Sequence, residues 1–218
     1  MYVPKSFQET DQTGLLQFVR DHSFALLITT GDDGIPMATH LPIELQPTGD
    51  DQFQLVGHLA KANPQWKLLE RDTPSLAVFS GPHSYISSSW YDHVNVPTWN
   101  YLSVHITGQT TLLSDEETLE LLRQQVDKYE SRSKCPVSIE SMTEGYVRKE
   151  MRGLVAFSMT IDKIEGAAKL SQNRDDANYQ AIISELRQTG DPTADALANE
   201  MAARRPSPPT PPNPMTTA

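Results

Sequence analysis

Hydrophobic and polar positions alternate with two different periods along the chain. Between Asp11 and Asp21 the apolar residues fall on a short helical stripe, and Phe24 to Thr30 is then typical of a buried strand. The turn from Gly31 to Gly34 contains residues that tolerate positive φ, which predicts that Ile35 to Leu45 returns as an antiparallel strand.

Several further segments have the composition of strands. Pro36 and Pro42 indicate that the second strand is irregular or lies at an edge, and a polar turn over 47–51 follows it. The remaining candidates are Phe53 to His58, Ser75 to Ser80, Asn100 to Leu113 with a break near Gly108, and Leu154 to Lys163. About six strands joined by short turns favour an antiparallel barrel with helical cover over a parallel α/β sheet, which needs regular strand and helix alternation.

Capping patterns predict where the helices begin. Ser114 and Glu117 form a capping box ahead of Leu119, Leu122, Val126 and Tyr129. A second helix is predicted over Asp175 to Thr189, with Ile182, Ile183 and Leu186 facing inward. Asn63 at an N-cap and Pro64 at the first helical position predict another, which ends at about Arg71.

Composition restricts the class of protein. The 218 residues include 28 acidic and 18 basic side chains, and the formal net charge of −10 disfavours non-specific binding to nucleic acid. No apolar run reaches the roughly 20 residues of a membrane span and the start lacks a signal-peptide pattern, so we expect a cytoplasmic protein. The single cysteine, Cys135, has no partner for an intramolecular disulfide.

The end of the chain changes in character. Six of the 16 prolines fall between positions 206 and 214. We therefore expect one domain over residues 1–190 and a proline-rich, disordered tail over 191–218.

Two segments contain candidate chemistry. His58 and Lys61 precede the helix start at Asn63, close to the backbone N–H groups of its positive end, which predicts an anion site suited to a phosphate. The alternative is a solvated lysine before an ordinary helix cap. The segment from Phe79 to Tyr101 is dense in aromatic and polar side chains, which favours a concave site for a flat heteroaromatic ring, or else an aromatic core or subunit interface.

The sequence motifs of nucleophilic hydrolases, of common nucleotide-binding folds and of metal sites are absent. The sequence has no GxSxG nucleophile motif, no GxGxxG and no GxxxxGK[ST]. Its six histidines do not have the close spacing of a metal site, so we expect none. Any nucleotide must be held without a Rossmann or P-loop element.

Long blocks of the sequence resemble the PaiB family. They are MYVPKSF from Met1, THLP from Thr39, GHLAKANPQW from Gly57, FSGPHSYISSSWY from Phe79, VPTWNYLSVHITG from Val96 and KLSQNR from Lys169. The resemblance implies a six-stranded FMN-binding split barrel related to pyridoxamine 5′-phosphate oxidases, which form homodimers with FMN at the subunit interface. The family is also described as transcriptional regulators. Ser88 stands where the family usually has proline.

The resemblance also assigns site residues. His58, Lys61 and Asn63 are its candidates for the FMN phosphate. Thr39, His40 and Leu41 are expected beside the isoalloxazine, with Tyr85, Ser87 and Trp90 on the next strand and Thr98, Trp99 and Asn100 reaching from the dimer partner. Lys169, Gln172 and Arg174 are expected to meet phosphate or substrate.

Three functions are compatible with these observations. The first is an FMN flavoprotein that exchanges electrons or hydride with a small molecule. The second is a gene regulator that acts directly or indirectly. Direct DNA contact is disfavoured, because the richest basic cluster, Arg148, Lys149 and Arg152, is short, mixed with glutamates and interpreted as a solvated strand edge. The third is haem binding or degradation, with His40, His58 or His105 as the axial ligand.

Overall fold

The computed structural model describes residues 1–49, 52–71 and 73–205. Its strands are β1 (Gln8–Glu9), β2 (Phe24–Thr30), β3 (Pro36–Gly49), β4 (Gln52–Ala60), β5 (Ser75–Ile86), β6 (Thr98–Gly108), β7 (Thr110–Leu112), β8 (Leu154–Met159) and β9 (Lys163–Lys169). Its α-helices are α1 (Gln12–Asp21), α2 (Asp115–Glu130), α3 (Glu144–Met151), α4 (Asp176–Gln188) and α5 (Pro192–Arg204). Short 3-10 helices cover Lys5–Phe7, Pro64–Leu68, Ser88–Trp90 and Ile139–Ser141.

Nine strands of the described chain form one sheet, in the order β1-β9-β6-β5-β2-β3-β4-β8-β7. The pairs β2 with β3, β2 with β5, β3 with β4, β4 with β8 and β7 with β8 are antiparallel. The sequence predicted about six strands. It missed the two-residue β1 and also β9, of which only Lys163 fell inside a predicted segment, and it continued β8 from Met159 to Lys163. The predicted break near Gly108 corresponds to the division between β6 and β7.

The described chain divides into two compact units, each made of three segments. Unit 1 comprises Met1, Glu9–Ser80 and Ser103–Gly166, and unit 2 comprises Tyr2–Gln8, Gly81–Leu102 and the chain from Ala167 onward. The single domain expected over residues 1–190 stays a prediction.

In unit 1, the long strand β3 pairs with two different strands along its length. Its first half pairs with β2, from Pro36 opposite Thr30 to Pro42 opposite Phe24, and its second half pairs with β4 from Ile43 onward. Pro36 and Pro42 therefore lie in the half that pairs with β2, and Pro47 lies in the half that pairs with β4. The predicted turn at 47–51 begins too early, because β3 continues through a bulge to Gly49, and residues 50 and 51 lie outside the described chain.

The core of unit 1 follows from the alternation of its strands. The side chains of β2, β3, β4, β5 and β8 that point to one face are buried together with two positions of α1, and the largest are Leu27, Ile43, Leu55, Leu59, Phe79 and Phe157. Each such burial contributes roughly 1.5–3 kcal/mol. At the break between β6 and β7, Gly108 is required, because a Cβ there would lie 1.9 Å from the carbonyl oxygen of Thr160.

Helix α2 covers the opposite face of β4 and β8. The predicted capping box is present, with Ser114 Oγ accepting from Glu117 N and the Glu117 carboxylate accepting from Ser114 N. Leu121 packs there against Val56 and Ala156. The buried stripe of the helix is Thr118, Leu121 and Gln125, whereas the predicted Leu119, Leu122 and Val126 are half-buried and Tyr129 is exposed.

In unit 2, two helices pack as a pair. Tyr179 of α4 is buried and donates from its hydroxyl to the carbonyl of Met201 in α5 at 2.9 Å. The inward positions predicted for α4 are buried. Helix α5 corrects the predicted tail of 191–218. Asp191 caps it, Pro192 begins it, and its apolar residues recur at the helical period. Residues 206–218, with the six prolines, lie outside the described chain.

Two local predictions also need correction. The basic cluster is not a strand edge, because Arg148 and Lys149 lie in α3, where Arg148 pairs with Glu144 one turn earlier at 2.8 Å. The helix after Asn63 is the five-residue 3-10 helix Pro64–Leu68 and does not reach Arg71. None of the helices in the described part of the chain is long and apolar enough to cross a membrane.

Candidate functional site

The structure divides the predicted site residues between the two units. Unit 1 contains Thr39, His40, Leu41, His58, Lys61 and Asn63. Unit 2 contains Tyr85, Ser87, Trp90, Thr98, Trp99, Asn100, Lys169, Gln172 and Arg174. The contacts of each set are described within its own unit.

Two of the residues in unit 1 are joined by a hydrogen-bond network. Asn63 Nδ2 donates to Thr39 Oγ1 at 2.8 Å, and Thr39 Oγ1 donates to Gln65 Oε1 at 2.5 Å. Asn63 Oδ1 caps the 3-10 helix by accepting from Gln65 N at 3.0 Å. The side chains of Thr39 and Asn63 therefore fix the chain locally, and this use competes with a role in binding a cofactor.

Gln65 is the residue of this network that the sequence did not single out. Its side chain is fully buried, and Nε2 donates to the carbonyls of Leu27 and Met37 at 3.1 and 3.2 Å. It thereby ties the 3-10 helix to β2 and β3. A glutamine between a proline and a tryptophan carries no pattern that indicates burial, so sequence alone offered no signal.

The three residues predicted beside the isoalloxazine, Thr39 to Leu41 of β3, do not share a face, because successive strand residues point to opposite faces of a sheet. Leu41 is 4% exposed and belongs to the core, and Thr39 lies on the same face. His40 is exposed on the other face, where its ring is stacked on Phe24 with centroids 6.1 Å apart and an interplanar angle of 23°. These three residues cannot line one surface together.

The predicted phosphate cradle is also divided. His58 lies on the face of β4 that α2 covers, and burial lowers its pKa, opposed by the Gln125 side chain. A neutral imidazole is a weak partner for a phosphate. Lys61 is exposed and borders a cavity of about 650 Å³ that three carboxylates, from Asp115, Glu116 and Glu144, also line. Pro64 has no N–H, and the N–H of Gln65 donates to the side chain of Asn63. The first backbone donor of this short 3-10 helix is therefore already used, and the predicted helix-terminus site is not formed there.

Unit 2 contains an exposed aromatic cluster formed by His83, Tyr85 and Trp99. The ring centroids of Tyr85 and Trp99 are 6.1 Å apart at 69°, and His83 lies 6.2 Å from Trp99. Tyr85 is 45% and Trp99 54% exposed. Edge-to-face pairs of this kind are stable, and they leave a ring face free for another flat molecule.

The side chains next to Trp99 in sequence point the other way. Asn100 is fully buried and donates to Ser171 Oγ at 2.9 Å. Thr98 accepts from Lys169 Nζ at 2.5 Å. Asn100 is thus a structural residue, and Thr98 and Lys169 lie on the side of β6 opposite the aromatic cluster.

The segment 169–174 turns sharply. Ser171 adopts φ of 59°, an uncommon value for a residue other than glycine, and Arg174 N donates to its carbonyl at 3.0 Å. The Gln172 side chain binds the backbone that precedes it, accepting from Leu170 N at 2.8 Å and donating to the carbonyl of Ala168 at 2.5 Å. Gln172 therefore stabilises the turn. No sequence signal pointed to Ser171.

The remaining predicted residues of unit 2 lie in or near the loop after β5. Ser87 caps the 3-10 helix Ser88–Trp90 by accepting from Ser89 N at 3.2 Å, and Trp90 is half-buried. Arg174 lies with its guanidinium 5.0 Å from the centroid of Tyr91. This is a cation–π contact of ordinary length.

Sequence comparison identifies the family. The family model described as "Putative FMN-binding domain" matches residues 1–163. A relative from Bacillus subtilis (strain 168), "Protease synthase and sporulation protein PAI 2", is 39% identical over 201 residues, which cover 92% of this chain and 96% of the relative. The chain belongs to the PaiB family.

Two solved structures resemble this PaiB-family chain in fold. The FAD and heme binding protein from Mycobacterium smegmatis has a TM-score of 0.57 at 19% identity, covering 80% of this chain and 78% of that one. The flavocytochrome Anf3 from Azotobacter vinelandii has a TM-score of 0.54 at 20% identity, covering 82% and 78%. At such identities the likeness shows the fold alone. The predicted class, a split barrel of mainly antiparallel strands with helices, is confirmed.

FMN, the cofactor of the PaiB family, combines a flat ring system with a phosphate. The described residues offer partners for both parts. In unit 2, Tyr85 and Trp99 present exposed rings, and Lys169 and Arg174 are half-buried cations. Aromatic faces and cationic donors are the groups that hold such a ligand, so the side chains present fit FMN.

Proposed function

We propose that this PaiB-family chain is an FMN flavoprotein that exchanges electrons or hydride with a small-molecule partner. The observation that carries the proposal is the exposed pair Tyr85 and Trp99, because two large aromatic side chains about half exposed on one face suit a flat ligand. When bound, FMN supplies the redox chemistry, and the protein binds and orients it.

Each residue of the aromatic cluster has a stated part in this proposal. Tyr85 and Trp99 pack against the isoalloxazine. His83, 6.2 Å from Trp99, orients that ring at its exposed edge. The cluster excludes water from one side of the flavin.

The proposal includes a homodimer, which the family resemblance implies, with FMN at the subunit interface. Phe24, the first residue of β2, is 67% exposed, and Ile35, in the turn before β3 at the other end of this strand pair, is 63% exposed. Large apolar side chains so exposed favour contact with another protein surface, and a second copy of the chain is the partner proposed. The regulator and haem alternatives stay predictions.

The test is a flavin titration of the full chain. FMN fluorescence and absorption are followed on addition of protein, and NADH or NADPH is then added without oxygen. We expect FMN to bind with a shifted spectrum and to be bleached by a nicotinamide. Trp99→Ala should weaken FMN binding about tenfold or more, since stacking of an aromatic ligand contributes on the order of 1–3 kcal/mol.

The matched control is Tyr146→Ala, which removes an exposed aromatic side chain from α3 of unit 1. It should bind FMN like the unchanged protein. Failure of the unchanged protein to bind FMN at any concentration would contradict the proposal. Binding that Trp99→Ala leaves intact would remove the aromatic cluster from it.

A further inference from the structure

Strand β4 extends beyond the end of its neighbour β8. The pairing of the two strands ends at Leu55 opposite Met159, whereas β4 itself begins at Gln52. After Met159 the chain bonds on its other side, where Thr160 N donates to the carbonyl of Gln109 at 2.9 Å. In the described chain, residues 52–54 of β4 are therefore paired with β3 alone and border a gap in the sheet.

The backbone of Phe53 points into this gap. Residues of an antiparallel strand bond alternately to the neighbours on either side. Thr160 bonds away from β4, so the adjacent Met159 bonds towards β4, where Leu55 is its partner. Phe53, two residues from Leu55, shares this direction, and Pro47 opposite it in β3 has no N–H to donate. Among the described residues, the N–H and the carbonyl of Phe53 thus have no backbone partner.

A cavity of about 700 Å³ lies at the gap, and all of its lining residues belong to unit 1. Its walls are the first turns of α1, the far end of the β3 and β4 pair, and the segment 160–164. This volume is in the range of sites that hold small ligands. The unpaired edge of β4 therefore lies between walls and not on a flat surface.

The cavity is close to neutral. The charged side chains that line it are one acid, Asp162, and one base, Lys163. Both are engaged, because Asp162 accepts from Thr160 Oγ1 at 2.7 Å and Lys163 pairs with Glu165 at 2.9 Å. A charged ligand finds no free counter-charge there, so an uncharged ligand is favoured.

The rest of the lining consists of amides and aliphatic groups. Gln12 and Gln52 are exposed, and their side chains form no hydrogen bond in the described chain. Leu16, Ile161 and Ile164 are half-buried and form an apolar wall, in which both isoleucines pack against the core of unit 1. Side-chain amides suit peptide groups, which donate and accept in the same way, and the apolar wall suits an aliphatic side chain.

We propose that this gap is a docking site for an extended, uncharged segment of a partner protein. The segment adds to β4 as a short strand, exchanges both backbone hydrogen bonds with Phe53 and places an aliphatic side chain against the apolar wall. Another backbone is the ligand that matches the unpaired N–H and carbonyl of one strand residue. The docking site needs no flavin, so it stands or falls independently of the proposed function.

A second copy of the chain is a poorer occupant of the gap. Pairing of two copies would bring two β4 edges together, and each of them lies between the walls of its own cavity. A paired strand lies about 4.8 Å from its neighbour, so a single extended segment can enter. A folded copy would bring its own α1 and segment 160–164 with it. The partner therefore presents its segment from a loop or a terminus.

The test is an NMR titration of the full chain with the blocked, uncharged peptide acetyl-Thr-Val-Thr-Val-Thr-amide. We expect the amide signals of residues 52–54 to shift, and exchange of the Phe53 N–H with solvent to slow at least fivefold at saturation. The same peptide with every amide nitrogen methylated is the matched control. It keeps the side chains and has no N–H to donate, so it should bind at least tenfold more weakly. A peptide with glutamate in place of both valines should also bind at least tenfold more weakly, because the apolar wall disfavours it.

Two substitutions of Phe53 separate its backbone from its ring. Phe53→Pro removes the N–H that points into the gap, and it leaves the pairing with β3 intact because β3 does not use that N–H. It should weaken peptide binding at least tenfold. Phe53→Ala keeps the N–H and should bind the peptide within threefold of the unchanged protein. Thermal melting checks that both are folded, and if Phe53→Pro is not, the peptide and its methylated form decide on the unchanged protein.

Four results would overturn the inference. One is that the uncharged peptide does not bind at its highest soluble concentration. Another is equal binding of the methylated peptide, and a third is an equal loss of binding in Phe53→Ala and Phe53→Pro, since the backbone edge would then not be what the peptide meets. The last is a shift of the 52–54 signals with protein concentration alone, because a second copy would then occupy the edge.

Discussion

Gln65 accepts a hydrogen bond from Thr39 at 2.5 Å, across 26 residues of sequence. The same amide donates to two carbonyls of the paired strands β2 and β3. A buried side chain with every polar group in use stabilises one arrangement of the chain, because any displacement leaves a donor or acceptor without a partner. Together with the bond from Asn63 to Thr39, this residue fixes the 3-10 helix after β4 to the sheet.

Gln65→Leu should lower the free energy of unfolding by about 2–3 kcal/mol. The substitution keeps the volume and removes all of these hydrogen bonds from a fully buried position. Urea unfolding followed by tryptophan fluorescence measures the change. Gln17→Ala, at an exposed position of α1, is the control, with an expected change below about 0.5 kcal/mol. Equal losses in both variants would refute the role assigned to Gln65.

His58 should make stability depend on pH. Burial lowers its pKa in the folded state below the ordinary value of about 6.5. Above that value the imidazole is neutral in both states. Below it the unfolded chain takes up a proton that the folded chain resists, so the free energy of unfolding falls as the pH falls.

The check is urea unfolding between pH 7.5 and pH 5. His58→Gln should reduce the slope of stability against pH. His105 contributes in the same direction, since burial lowers its pKa too, so the slope is reduced without vanishing. A slope that His58→Gln leaves unchanged would show that this histidine gains its proton equally in both states.

Ser88→Pro should stabilise the protein by about 0.5–1 kcal/mol. Ser88 is the first residue of a 3-10 helix, a position that suits the fixed φ of proline, and Ser87 has φ −70° and ψ 142°, which suit a residue before proline. The gain comes from a less flexible unfolded chain. Ser89→Pro is the contrast, because Ser89 N donates to Ser87 Oγ at 3.2 Å and that bond would be lost. Thermal melting should move in opposite directions for the two variants.

Phe24→Glu should shift the proposed homodimer towards monomers. It places a charge at an exposed apolar position beside His40, where a second copy would have to bury it. Sedimentation equilibrium measures the mass. Tyr2→Glu, at a residue 90% exposed in unit 2, serves as the control and should leave the mass unchanged. A dimer that persists in Phe24→Glu would place the interface on another surface.

Local chemistry allowed much of the fold to be predicted. The capping box at Ser114 and the N-cap at Asn63 were both correct, because each depends on hydrogen bonds between residues two or three positions apart. Strands β2 and β3 were predicted from their apolar pattern and from the turn residues between Gly31 and Gly34. The end of β8 at Met159 and nearly all of β9 were missed, because pairing with strands distant in sequence decides where a strand begins and ends.

The candidate site was harder to predict, since its geometry depends on contacts far apart in sequence. His58 had the pattern of an outward strand residue, and only the position of α2 shows that it is covered. A row of three residues such as Thr39 to Leu41 looks continuous in sequence, yet a strand sends alternate members to opposite faces. Resemblance assigned the residues to a site, and physical contacts decide which of them a ligand can reach.

Helix α5 determines where this chain can be shortened. Its buried residues Leu197 and Met201 complete the apolar surface of α4, and the carbonyl of Met201 receives the Tyr179 hydroxyl. A protein that stops at residue 190 would expose that surface to water and leave the Tyr179 hydroxyl without its hydrogen-bond acceptor. A protein that stops after Arg205 keeps every contact described for α4, so the smallest fragment worth expressing ends there.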